Sequence, residues 1–154
     1  ESGWFGRGVH VQSGSTLVAD GLRVSGSRDA AVAVLGSTGR LVGGELSGTT
    51  LAPFSDGSGE GGEGLVLMLG DGEAPAAFTI DGTRFDDNAR AGIFVDGVQA
   101  TVDASAVDGN AYSFVVQNGG SLGGTETCEV GADQEDRSAE SGLDPLPIYD
   151  EPME

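Results

Sequence analysis

The chain has no lysine and only one cysteine, one histidine and one tryptophan among its 154 residues. A lone cysteine excludes an internal disulfide and any cysteine-based metal cluster. One His with one Cys leaves no ligand set for a zinc site of the usual kind. Long hydrophobic runs are missing too, and nothing approaches the ~20 apolar residues that a membrane span needs. Positive charge is the most telling shortage. Seven arginines face 25 acids, for a net charge of −18 and a pI near 4.1. Such a surface repels phosphate backbones and anionic lipid, which argues against nucleic acid and membrane surfaces as partners. It suits divalent cations, basic partners or neutral ligands.

What is abundant is glycine, at 28 residues, while hydrophobic residues reach only 38%. Glycine at that level without a Gly-X-Y period fits a fold with many tight corners, or one with disordered parts. The acids are uneven. Residues 125–154 hold ten of them against one arginine. Nothing there repeats, so an acidic irregular tail is expected over 125–154, disordered or draped on the rest. Leu146, Ile148 and Tyr149 are the residues that would anchor such a strap.

The segment from Ile80 to Gln117 nearly repeats itself. Asp81 and Asp103, Phe85 and Val107, Asp86 and Asp108, and Asn88 and Asn110 are each 22 residues apart. Short segments of period-2 alternation recur on either side of it, as in half-buried strands. Read in steps of about 22, a size typical of solenoid repeats, the apolar residues fall into four columns. The first is Val9, Val32, Leu65, Ile93 and Phe114, and the second is Val11, Val34, Leu67, Val95 and Val116. The third is Ala19, Leu41, Ile80 and Val102, and the fourth is Val24, Leu46, Phe85 and Val107. No coil could bury these side chains alone; stacking joins them into one core. The expected fold is all-β, a parallel β-helix of about five coils over residues 8–122. A Gly/Ser-rich corner loop at 50–64 interrupts it, and a short detour through Pro75 follows. Trp4 and Phe5 are expected either to plug the open end or to belong to an earlier coil, with more solenoid upstream of Glu1.

The turn-strand units Asn88-Ala89-Arg90-Ala91-Gly92-Ile93-Phe94-Val95 and Asn110-Ala111-Tyr112-Ser113-Phe114-Val115-Val116 resemble the right-handed parallel β-helix repeat of the pectin-lyase-like superfamily. The resemblance covers roughly residues 8–122. It implies a secreted or cell-envelope bacterial protein, and it bears on fold more than on function, because the superfamily hosts lyases, hydrolases, epimerases, tailspikes and adhesins. Its enzymes have more coils and an N-terminal helical cap, which this chain does not show.

Several residues stand out for chemistry. Asp86, Asp87 and Asp108 with Arg84 form the densest charged group, and Asp86 is expected above Asp108. Carboxylates one strand apart are a candidate calcium site, since Ca²⁺ takes oxygen ligands. The resemblance implies pairing of such a calcium with an arginine base. The competing reading is solvated turn residues. Asn88 over Asn110 reads as a structural ladder, and Arg23, Glu45 and Arg84 as a charge ladder in one outward slot. His10 faces outward with no nucleophile set around it. Val66, Phe94 and Val115, with Met68, point outward as an apolar stripe, a candidate contact surface for a partner or for the tail.

The function expected is a non-catalytic structural or adhesive module contacting polysaccharide or protein, with no catalytic residue assigned. The alternative is a fragment of a carbohydrate-active enzyme, of lyase or hydrolase type. End-to-end self-association through an uncapped coil is a third reading.

Overall fold

The computed structural model describes residues 6–53, 60–70, 77–131 and 135–138. The expectations for Trp4 and Phe5, for the middle of the corner loop, for Pro75 and for the strap residues Leu146, Ile148 and Tyr149 lie outside these residues. Strands are short because glycine and Asx corners interrupt each apolar alternation. The first circuit is β1 (Val9–Gln12), β2 (Thr16–Asp20) and β3 (Arg23–Ser25). The next is β4 (Ala30–Leu35), β5 (Thr38–Val42) and β6 (Glu45–Ser47). An antiparallel pair, β7 (Ala52–Pro53) and β8 (Glu60–Gly61), then leaves the stack. The circuits resume with β9 (Glu63–Met68), β10 (Ala77–Asp81) and β11 (Arg84–Asp86), then β12 (Ala91–Asp96), β13 (Gln99–Asp103) and β14 (Ala106–Asp108). Last come β15 (Tyr112–Gln117), β16 (Ser121–Gly123), β17 (Glu129–Val130) and β18 (Glu135–Ser138).

Each strand pairs in parallel with its counterpart one circuit away. A first sheet has six strands in the order β1-β4-β9-β12-β15-β18, a second has five as β2-β5-β10-β13-β16, and a third has five as β3-β6-β11-β14-β17. Three stacked parallel sheets make a parallel β-solenoid. All four apolar columns hold, pair by pair, from Val9 on Val32 to Ile93 on Phe114 and from Val24 on Leu46 to Phe85 on Val107. They form one continuous core in which Val32, Leu46, Leu65, Phe85, Ile93 and Val107 are fully buried. A further column, Leu17-Gly39-Phe78-Ala100-Leu122, shows how side-chain size is balanced along the stack. A Cβ on Gly39 would come within 2.8 Å of the Phe78 ring, so the largest residue of that column sits beside the smallest.

Two expected boundaries move. The corner loop ends before residue 64, because Glu63 and Gly64 already belong to β9 and are buried. The solenoid also continues beyond residue 122, since β17 pairs with β14 and β18 with β15. Cys128 packs against the core there, and its burial raises the thiol pKa. Glutamates in place of Val or Ile hide this last circuit from an apolar pattern, because backbone pairing needs no particular side chain.

Candidate functional site

Sheet pairing brings the expected acids together, though not as a cation cage. Asp86 lies in register with Asp108, and Asp81 with Asp103. Arg84 donates from Nε to Asp86 Oδ2 within its own strand, and that hydrogen bond raises the Arg84 pKa. Asp108 is exposed and accepts from the Gly109 N–H at 2.9 Å. Asp87 is not on the strand face. It turns the corner at φ 53, a left-handed conformation that Asp tolerates. Among the described residues no group of three or more His, Cys, Asp or Glu side chains is placed to hold a metal ion. Of the expected Ca²⁺ ligands, Asp86 and Asp108 stack in register, while Asp87 sits at the corner with its carboxylate against Gly109. One observation still sets Asp86 apart: its Oδ1 is buried and finds no hydrogen-bond partner.

The Asn ladder is as expected and extends further down. Asn88 Nδ2 donates to the Leu46 carbonyl at 3.0 Å and to Asn110 Oδ1 at 2.9 Å. The Asn88 N–H donates to the same Asn110 oxygen at 2.9 Å, and the Thr49 N–H donates to Asn88 Oδ1 at 3.3 Å. Asn110 Nδ2 in turn donates to the Phe85 and Asp108 carbonyls. Hydroxyls do the same at the neighbouring corner, where Ser105 Oγ accepts from the Thr83 N–H and donates to the Asp103 carbonyl. Arg23, Glu45 and Arg84 share one outward slot, as expected.

The apolar stripe does lie on the outer face of the first sheet, but it is not open. Val66, Phe94 and Val115 are 0% exposed and Met68 is 3% exposed. With Ala30, Ala33 and Ala91 they form a second buried cluster, flanked by Leu35 and Tyr112. The Arg90 guanidinium sits 5.5 Å from the Phe94 ring centre, within cation–π range. The expectation of an exposed contact surface at these four residues is thus corrected: they pack as a core.

Beside that cluster lies a set of charges that the sequence reading missed. Glu63 is 0% exposed, and its Oε1 is 2.9 Å from Arg90 Nη1. The Gly62 N–H donates to Glu63 Oε2 at 2.9 Å. One circuit earlier, Asp29 Oδ2 accepts from Arg7 Nε at 2.5 Å, and the Asp29 carbonyl accepts from the Gly62 and Glu63 N–H groups. Burial raises the Glu63 pKa to about 7, with Arg90 opposing the rise and Asp29 adding to it. His10 contacts Arg7 at 3.4 Å, and burial together with the Arg7 charge lowers its pKa. So four circuits contribute Arg7, Asp29, Glu63 and Arg90 to one corner, where two bases flank two acids. A signal was present. Counting back two residues from Leu65 puts Glu63 in the slot of Ala30 and Ala91, where a carboxylate is out of place.

At the other edge of the same sheet Asp96 is 8% exposed, and its two oxygens accept from Gln117 Nε2 at 2.8 Å and Asn118 Nδ2 at 2.9 Å. The carboxylate is fully answered within the stack. Comparison with protein-family models, curated proteins and solved structures found no match to this chain.

Proposed function

We propose that the chain is a structural or adhesive module of a secreted or cell-envelope bacterial protein, built as a right-handed parallel β-helix of the pectin-lyase-like kind. Right-handedness rests on the strong general preference of parallel crossover connections for that hand. The observation that carries the functional reading is where the polar side chains go. Buried Asn, Ser, Thr and Asp side chains close corners between circuits, and outward charges meet their neighbours in ladders. What the molecule offers to a partner is the outer face of the second sheet. There Thr79 stacks on Thr101 and Asp81 on Asp103, all exposed, with Thr16 and Thr38 hydroxyls 3.2 Å apart. Hydroxyls and carboxylates repeating at about 4.8 Å, the strand spacing, suit hydrogen bonding to a polysaccharide or to a polar protein surface.

The second reading, a fragment of a carbohydrate-active enzyme, draws on the unpartnered Asp86 Oδ1 above Asp108. One experiment separates the two. Under the module reading, Asp86→Ala and Asp108→Ala each shift unfolding free energy by less than about 1 kcal/mol, as the loss of a surface ion pair or of a solvent-facing turn hydrogen bond does. Ca²⁺ then leaves the melting temperature unchanged, and uronate polymers mixed with the protein show no gain in ultraviolet absorbance. Calcium stabilisation that disappears in both variants, together with polymer cleavage, would establish the enzyme instead.

A further inference from the structure

The outer faces of the first and second sheets differ in a way that stacking does not explain. On the second sheet the outward column Val18-Arg40-Thr79-Thr101 is exposed throughout, with Val18 at 69%. On the first sheet the matching column Ala33-Val66-Phe94-Val115 is 0% exposed. The next column, Leu35-Met68-Asp96-Gln117, is buried from Met68 onward. Stacked neighbours alone leave an outward side chain wet, as Thr79 and Thr101 show. A further layer is needed over the first sheet. Among the described hydrophobics only Leu35 and Tyr112 pack against its buried cluster, and both are strand residues of the sheet itself.

The limits of the dry patch point to what covers it. His10 continues the Ala33 column onto β1 and is exposed, so the patch spans β4 to β15 and stops short of β1. That is about 14 Å on the strand spacing. β18 pairs with β15 at the far side of the patch, and the chain runs on from Ser138 into residues 139–154. At about 3.1 Å per residue, an extended Pro-rich segment of that length reaches about 50 Å, several times the patch. It carries Leu143, Leu146, Ile148 and Tyr149, with Pro145 and Pro147 among them. Proline has no N–H to donate and fixes an extended backbone, which suits a strap crossing strands rather than another strand. The other segments outside the described residues fit less well. Phe54 is the one large apolar side chain in 54–59, 71–76 and 132–134, and each of these is tied between two strands. Trp4 and Phe5 precede β1, the strand that the dry patch does not reach.

We propose that residues 139–154 dock back across the outer face of the first sheet as a strap, seating Leu146, Ile148 and Tyr149 on Val66, Phe94 and Val115. The acids beside that apolar group, Asp144, Asp150 and Glu151, then keep to water on the strap's outer side. A patch of this kind left open invites association, and the strap removes it. The inference goes beyond the module reading, because it closes the first sheet to partners while the second stays open.

Oxidation of Met68 by dilute peroxide in the full chain tests this, since its side chain belongs to the covered cluster and is 3% exposed. Leu146→Asp combined with Ile148→Asp should speed Met68 sulfoxide formation at least about tenfold, because two apolar anchors are lost. Peptide mass spectrometry separates Met68 from Met153, the other methionine. The double variant should also bind an apolar dye that the wild type does not, while its circular dichroism keeps the strand signal. Should the double variant fail to fold, nuclear Overhauser contacts in the wild type from the Tyr149 ring to the Val66 and Val115 methyls make the same test. Unchanged oxidation in a folded double variant, or absence of those contacts, overturns the proposal. So does acceleration produced by Phe54→Ser, which would assign the layer to the corner loop, or by dilution, which would assign it to a second copy. None of these outcomes touches the module reading, whose support lies on the second sheet.

Discussion

Asn88→Ala should lower the unfolding free energy by about 3–5 kcal/mol, from the loss of partners at buried backbone groups that each cost about 1–3 kcal/mol when left unmade. Asn88 is 0% exposed, and its side chain serves the Thr49 N–H on one side and the Leu46 carbonyl on another, while bonding Asn110. Alanine removes those bonds and leaves their partners buried. The position matters as much as the count. The ladder joins three circuits in the middle of the stack, and a solenoid's stability is close to a sum of nearest-neighbour contacts. A break there uncouples the two halves, so the denaturant transition should broaden or split as well as move. Urea unfolding followed by circular dichroism reads both effects. A loss under about 1 kcal/mol with an unchanged slope would mean that the ladder is not closed as described.

The second large effect concerns pH. Glu63 carries a carboxyl whose pKa burial raises from 4.5 to about 7. An acid with a raised folded-state pKa binds its proton more tightly in the native chain than in the unfolded one. Its contribution is fully present below about pH 4.5 and is lost as pH climbs through about 7. At 1.36 kcal/mol per pKa unit that contribution is about 3 kcal/mol. Glu63→Gln keeps the shape of the protonated acid and an oxygen for the Gly62 N–H, but cannot ionise. Wild type and variant should therefore be nearly equal in stability near pH 4.5, with the variant ahead by about 3 kcal/mol near pH 8. Every other titrating group is common to both proteins, so the difference between them is the quantity to follow. Parallel curves from pH 4.5 to 8 would show that Arg90 holds Glu63 ionised throughout.

The columns were legible because stacking imposes one chemical demand at every circuit. Val9, Val32, Leu65, Ile93 and Phe114 differ in size but not in kind, and even an insertion between β6 and β9 leaves their slot recognisable. Asn88 over Asn110 was readable for the same reason. Outside the columns the signal weakens. Alternation predicted that Val66 and Phe94 point away from the core, which they do, but alternation cannot say whether an outer face is wet. Covalent neighbours also mislead: Glu63 follows a run of glycines and acids, so it reads as loop, although its strand register puts it in a dry corner with Arg90. The last circuit was lost because Glu129 and Glu135 stand where an apolar pattern expects Val or Ile, while the strand pairing there is set by the backbone. Asp87 shows the opposite limit. It reads as a strand neighbour of Asp86, but its left-handed backbone places it on the corner, with its carboxylate against Gly109 instead of in the strand register.

The solenoid itself is tested most directly by inter-strand nuclear Overhauser contacts in the second sheet. Parallel in-register pairing requires Thr79 to meet Thr101, Ile80 to meet Val102 and Phe78 to meet Gly39, all in the same sense along the strands. Backbone contacts between residues 22 apart on one side of β10 and 39 apart on the other are the predicted result. Contacts whose offsets change steadily along the strand, the mark of antiparallel pairing, would contradict it.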